Sequence, residues 1–233
     1  MAKRSAREVQ AELPADSGAT ATPAPPAKLH VTLTELPRGQ VLHRVHQNQY
    51  QADQFNPGAR GNARFSPIQD GLGQPIPTLY GGTTMECALM ETVFHDVPHT
   101  AGFKSFDKSK LAGQVHSIVE VKQPLQVVDL GSVPLRKLGI TRKQLIDTEK
   151  DQYPATRPWA EAIHRQCPEA QGLSWVSRQD DSARAVVLFG DRIPDGALRS
   201  QGASRSLVDD GNAYDAVLDL AERIGVHIVP GKS

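Results

Sequence analysis

Glu91 is the side chain whose placement local structure explains least. It lies near the end of a short helical pattern, Met85, Ala88, Leu89 and Val93, whose apolar spacing fits one face of a helix. A helix dipole gives a carboxylate no help at that end, so the local field does not account for its placement. A carboxylate so placed can stabilise developing positive charge or bind hydroxyls. Four other residues offer matching chemistry. Arg44, within VLHRV, and Arg64, after a glycine-rich loop, carry planar guanidinium forks that stay charged. Tyr80 presents a flat ring with a polar tip. Ser177 presents a hydroxyl, but no histidine is placed by sequence to make it a nucleophile. Each has an ordinary reading too: a solvated helix charge, a sheet-surface ion pair, a loop clamp, a packing ring, a turn hydroxyl.

Other patterns are weaker. His95 and His99 have a metal-ligand spacing, but Pro98 between them interrupts any continuous helix, and His43 and His46 flank Arg44 without a clustered carboxylate. The expectation is no metal site. The runs Gly58–Gly61 and Gly71–Gly73 match neither a P-loop nor a dinucleotide fingerprint.

The elements that must position these residues read as follows. Thr78–Tyr80 is an apolar strand ending at Gly81-Gly82, and Thr83 with Glu86 has capping-box spacing for the helix that carries Glu91. Val41–Val45 is the first core strand, and residues 55–64 and 69–77 are loops. Val115–Lys122, Leu125–Leu130, Gly172–Arg178, Arg184–Phe189 and Val226–Val229 are strand candidates. Thr141–Tyr153, Pro158–Cys167 and Ala213–Ile224 are helix candidates, with Thr141 as an N-cap and Pro158 as a helix start. Short strands mixed with helices, without regular alternation, predict an α+β fold in one domain. Residues 1–30, closing with ATPAPPAK, predict a disordered Pro/Ala-rich tail.

Bulk properties narrow the class. The chain has 233 residues with Lys+Arg and Asp+Glu equal at 26 each, which gives no reason to expect direct nucleic-acid or anionic-membrane binding. No apolar run approaches the roughly 18 residues of a membrane span, and no signal-peptide core is evident at the N-terminus. Cys87 and Cys167 sit in unlike contexts. They read as reduced, which suits a cytoplasmic protein.

Taken in order, LHRVH around Arg44, ARF around Arg64, LYGG around Tyr80, ECALMETVFHD around Glu91 and GLSWVSRQ around Ser177 resemble the RES domain family. The resemblance spans about residues 40–195. It implies a catalytic, NAD-binding domain over 31–233, with a fold like that of ADP-ribosyltransferase toxins. It also implies the toxin of a bacterial toxin–antitoxin system, which depletes NAD by phosphorolysis or hydrolysis. Protein ADP-ribosylation and a catalytically silent antitoxin-binding module are the alternatives. By the same resemblance NAD is a substrate rather than a tightly bound cofactor, with inorganic phosphate as an optional co-substrate. Glu91, Arg64 and Ser177 take catalytic roles, and Arg44, Arg64, Tyr80 and Ser177 bind NAD. The implied partner is a helix-turn-helix antitoxin of the Xre type, with room for a homodimer inside the complex.

Overall fold

A computed structural model describes residues 21–231 of the chain. Its centre is an eight-stranded sheet built from β1 (Leu33–Leu36), β2 (Val41–Gln47), β5 (Thr78–Gly82), β7 (Gln114–Val121), β8 (Leu125–Asp129), β9 (Gly172–Val176), β10 (Arg184–Phe189) and β11 (Leu198–Ser206). The spatial order is β1-β8-β9-β10-β5-β2-β7-β11. Every neighbouring pair is antiparallel except β8 and β9. Two small pairs complete the strands: β3 (Ile68–Gln69) with β4 (Pro75–Ile76), and β6 (Lys104–Asp107) with β12 (Val226–Val229).

Strand residues alternate between faces, so each strand feeds two layers. Leu42, Leu79, Val119, Val186 and Leu188 form a cluster on one face. The alternate positions Leu173, Trp175, Ala185 and Val187 pack under α2 (Ser132–Leu138), α3 (Arg142–Leu145) and α4 (Tyr153–Gln166). A separate cluster joins Val45 to α1 (Met85–Thr92) and α5 (Gly211–Arg223), through Leu89, Phe94, Val217 and Leu220. The fold class is α+β, as the sequence predicts.

Between the two helical layers the sheet parts. β2 and β5 share a single register pair, His43 with Gly82. Beyond it Arg44–His46 and Thr78–Tyr80 diverge. Gly82 lets α1 fold back over β5: a Cβ there would meet Ala88 N and Cys87 Sγ at 2.9 Å.

Several expected boundaries move. The helix carrying Glu91 is capped by Thr84, whose side chain accepts from Cys87 N at 3.0 Å, one residue later than the Thr83–Glu86 pair. Thr83 is still held in the sheet, its N–H on Arg184 O and its hydroxyl accepting from Arg184 N, both at 2.9 Å. Thr141 does cap a helix, with a full capping box to Gln144, but that helix ends at Leu145. The carbonyl of Thr148, which a longer helix would need, is taken by Arg64 and Arg178. α4 starts at Tyr153 with Pro154 in its first turn, so Pro158 lies inside the helix rather than opening it. The polar edge strand β11 and the short helix α2 were not expected from the sequence.

The tail expected to be disordered over residues 1–30 divides in two. Residues 1–20 lie outside the described residues, whereas residues 21–30 run along α3 and α4. Thr22 donates to Gln144 O at 2.6 Å, Trp159 Nε1 to Pro23 O at 2.7 Å, and Leu29 N to Gln166 Oε1 at 2.9 Å. Extended proline-rich backbone leaves its carbonyls free to accept, and Leu29 adds a buried anchor.

Candidate active site

The parting of β2 and β5 opens a cleft of about 300 Å³. Arg44, Arg64, Tyr80 and Glu91 all line it. Ser177 stands behind Glu91 and is fully buried.

Glu91 is placed by α1, and its puzzle is resolved by Ser177. The Ser177 hydroxyl donates to Glu91 Oε1 at 2.7 Å. It also accepts from Gln179 N at 3.1 Å and Asp180 N at 3.2 Å. Those two donors fill both lone pairs of the hydroxyl oxygen, so its one hydrogen is committed to the carboxylate. Arg142 fixes the strand end beneath, donating to the carbonyls of Val176 and Ser177 at 3.1 Å each. Among the described residues no cation forms an ion pair with Glu91. Its charge stays available to the cleft.

Arg64 is nearly buried, 5 % exposed. Its Nη1 donates to Thr148 Oγ1 at 2.7 Å and Thr148 O at 3.2 Å, and its guanidinium lies 4.9 Å from the centre of the Tyr153 ring. Thr156 Oγ1 donates to the Arg64 carbonyl, fixing the loop backbone to α4. The Nε–H of Arg64 is buried without a partner among the described residues. A buried charged donor of this kind suits an anion.

Arg44 and Tyr80 spend polar groups on loops. Nη1 of Arg44 donates to Gln51 O, Ala52 O and Gln54 O at 3.2, 2.7 and 2.7 Å. Burial lowers its pKa to about 10, so it remains a cation at neutral pH. The Tyr80 hydroxyl accepts from Phe65 N at 2.9 Å, and burial pushes its pKa up to about 12. Its ring lines the cleft and meets Trp175 edge-on, with centroids 6.3 Å apart.

The five residues singled out in the sequence therefore come together, although two of them act visibly as loop clamps. Sequence reasoning missed Trp175, Tyr153 and His46, which also line the cleft. Trp175 was within reach, since it lies two residues before Ser177 in the strand expected over Gly172–Arg178, where alternate residues share a face. Tyr153 was hidden by the misplaced start of α4. His46 is tied through Ser117 to Ser204 by contacts of 2.8 and 2.6 Å, and burial lowers its pKa. His95 is likewise engaged, by Thr92 O at 2.9 Å and Asp96 at 3.1 Å. Among the described residues no three metal-ligating side chains cluster, and no helix is long and apolar enough to cross a membrane.

Comparison with known proteins supplies an independent frame. A family model for the RES domain matches residues 41–210. Among solved structures the chain is similar to one in the crystal structure of the M. tuberculosis MbcT–MbcA toxin–antitoxin complex. The match has a TM-score of 0.57 and 15% identity, and covers 78% of this chain and 90% of that one. No curated protein sequence matches the chain.

Proposed function

The chain belongs to the RES domain family, and we propose that it is a bacterial toxin that depletes NAD by cleaving the nicotinamide–ribose bond. The observation that carries the chemistry is Glu91, a carboxylate with no ion-pair partner among the described residues, held at the cleft wall by Ser177. When the C1′–N bond breaks, its electron pair goes to the pyridinium nitrogen and neutral nicotinamide leaves. The ribose is left with oxocarbenium character, which a fixed carboxylate stabilises. Water then adds to C1′ and loses a proton, giving ADP-ribose, or a phosphate oxygen adds, giving the 1″-phosphate. Arg64, which lines the cleft and has one N–H without a partner among the described residues, is the cation we assign to a substrate phosphate.

The likeness of the fold to a chain of the MbcT–MbcA complex supports a cognate antitoxin as partner, a helix-turn-helix protein of the Xre type. On this reading the toxin acts in the cytoplasm, on the cell's own NAD, and forms a homodimer within the toxin–antitoxin complex.

The test is release of nicotinamide from NAD by purified, antitoxin-free protein, with and without inorganic phosphate. Phosphate-dependent turnover identifies a phosphorylase, and phosphate-independent turnover a glycohydrolase. Adenine label retained on a protein would instead identify an ADP-ribosyltransferase. A folded protein that produces none of these refutes the enzymatic reading.

A further inference from the structure

Two buried side-chain donors lack a hydrogen-bond partner among the described residues, Arg64 Nε and Trp175 Nε1. Both side chains line the same cleft. Buried donors in folded proteins are almost always paired, so two such donors on side chains that line one cleft call for an explanation, and a ligand's acceptors supply one. The two differ in kind. Arg64 is cationic. Trp175 offers one neutral N–H and no acceptor, and it stands among aromatic rings. Phe65 meets it edge-on with centroids 5.2 Å apart, and Tyr80 does so from another side. Trp175 is only 1 % exposed. Such a wall costs a phosphate anion its hydration with no compensating charge, but suits a flat aromatic heterocycle bearing a carbonyl, whether the pyridinium of the substrate or the neutral ring that leaves.

Trp175 also stands in the right place along the chain. It lies two residues before Ser177, which follows the end of β9 and holds Glu91. The leaving group of the proposed reaction is one bond from the carbon that Glu91 faces. Resting on that reading, we propose that the Trp175 indole N–H donates to the carboxamide oxygen of nicotinamide, making Trp175 the residue that selects the leaving group.

The substitution Trp175→Phe keeps an aromatic ring and removes the donor. Turnover of NAD is compared with turnover of a dinucleotide in which pyridine replaces nicotinamide and no carboxamide is present. Loss of one ordinary neutral hydrogen bond corresponds to about tenfold. The expected result is a fall of about that size in kcat/KM for NAD with little change for the pyridine analogue. Weaker product inhibition by nicotinamide, with inhibition by ADP-ribose unchanged, is expected alongside. An equal fall for both dinucleotides overturns the assignment. Should Trp175→Phe fold poorly, benzothienylalanine at position 175 replaces the N–H by sulfur while keeping the bicyclic shape, and the same comparison applies. Failure of the parent protein to cleave either dinucleotide defeats the NAD reading itself. Parent activity with no discrimination in either variant defeats only the role of Trp175.

Discussion

The substitution Ser177→Ala tests whether Ser177 works on the substrate or on Glu91. Removing the hydroxyl deletes a charge-assisted hydrogen bond of 2.7 Å and leaves the amides of Gln179 and Asp180 without their acceptor. A hydrogen bond to a charged group contributes about 1.5–3 kcal/mol. If that energy holds the carboxylate in its working rotamer, its loss lowers the productive population by about 10- to 100-fold. The substitution Glu91→Gln should cost more, about 100- to 1000-fold, because it removes the charge itself. The decisive measurement is a double-mutant cycle read by single-turnover release of nicotinamide, well below the melting temperature of every variant. If Ser177 acts through Glu91, adding Ser177→Ala to Glu91→Gln should change the rate by no more than about threefold. Independent, multiplying losses would show that Ser177 touches the substrate directly. Full activity in Ser177→Ala would refute the positioning role.

Three further outcomes follow from the same contacts. Arg64→Lys keeps the charge but loses the fork and its Nε–H, so NAD affinity by calorimetry should weaken about tenfold or more; unchanged affinity would remove Arg64 from the substrate site. His116 is held well below its usual range, at about 4, by burial first and then by His43, Arg205 and His46. The folded protein therefore resists a proton that the unfolded chain accepts below pH 6.5, so stability should fall by on the order of 1–2 kcal/mol as pH drops from 6.5 towards 4. His116→Gln should flatten that dependence, and an identical pH slope in the variant would count against it. Finally, a chain beginning at residue 31 should melt lower than one beginning at residue 21, because it loses the Trp159–Pro23 and Leu29–Gln166 bonds and the buried Leu29 side chain; equal melting temperatures would show that this segment does not stabilise the core.

How far the sequence could be read depended on the range of the forces involved. β2, β5, β9 and β10 were legible because alternation and β-branched content are local signals. The Glu91 helix was legible in place but not in its cap, since Thr83 is claimed by Arg184 across the sheet. The helix expected over 141–153 failed for the same kind of reason, with Arg64 and Arg178 taking a carbonyl that a helix would need. β11 is polar and mostly exposed, so nothing in its composition distinguished it from a loop; pairing with β7 makes it a strand. Of the site, Glu91 was marked by an electrostatic oddity, and the Ser177 contact that explains it spans 86 positions.

The hydrogen bonds also divide labour among residues that the sequence groups together. Arg44 holds the carbonyls of 51, 52 and 54, the Tyr80 hydroxyl holds the Phe65 amide, and Ser177 holds both the 177–180 turn and Glu91. These three build the walls of an opening that β2 and β5 create by parting after one shared pair. On the proposed reading, Glu91 and the N–H groups of Arg64 and Trp175 that have no partner among the described residues are what the walls leave for a ligand. The consequence is a separation of phenotypes. Changes at Arg44 and the Tyr80 hydroxyl act first on stability, through loop carbonyls and amides that lose their partners. Changes at Glu91 act on rate with the fold intact. Arg64 does both, because Thr148 anchors its guanidinium and Thr156 its backbone carbonyl while the side chain lines the cleft.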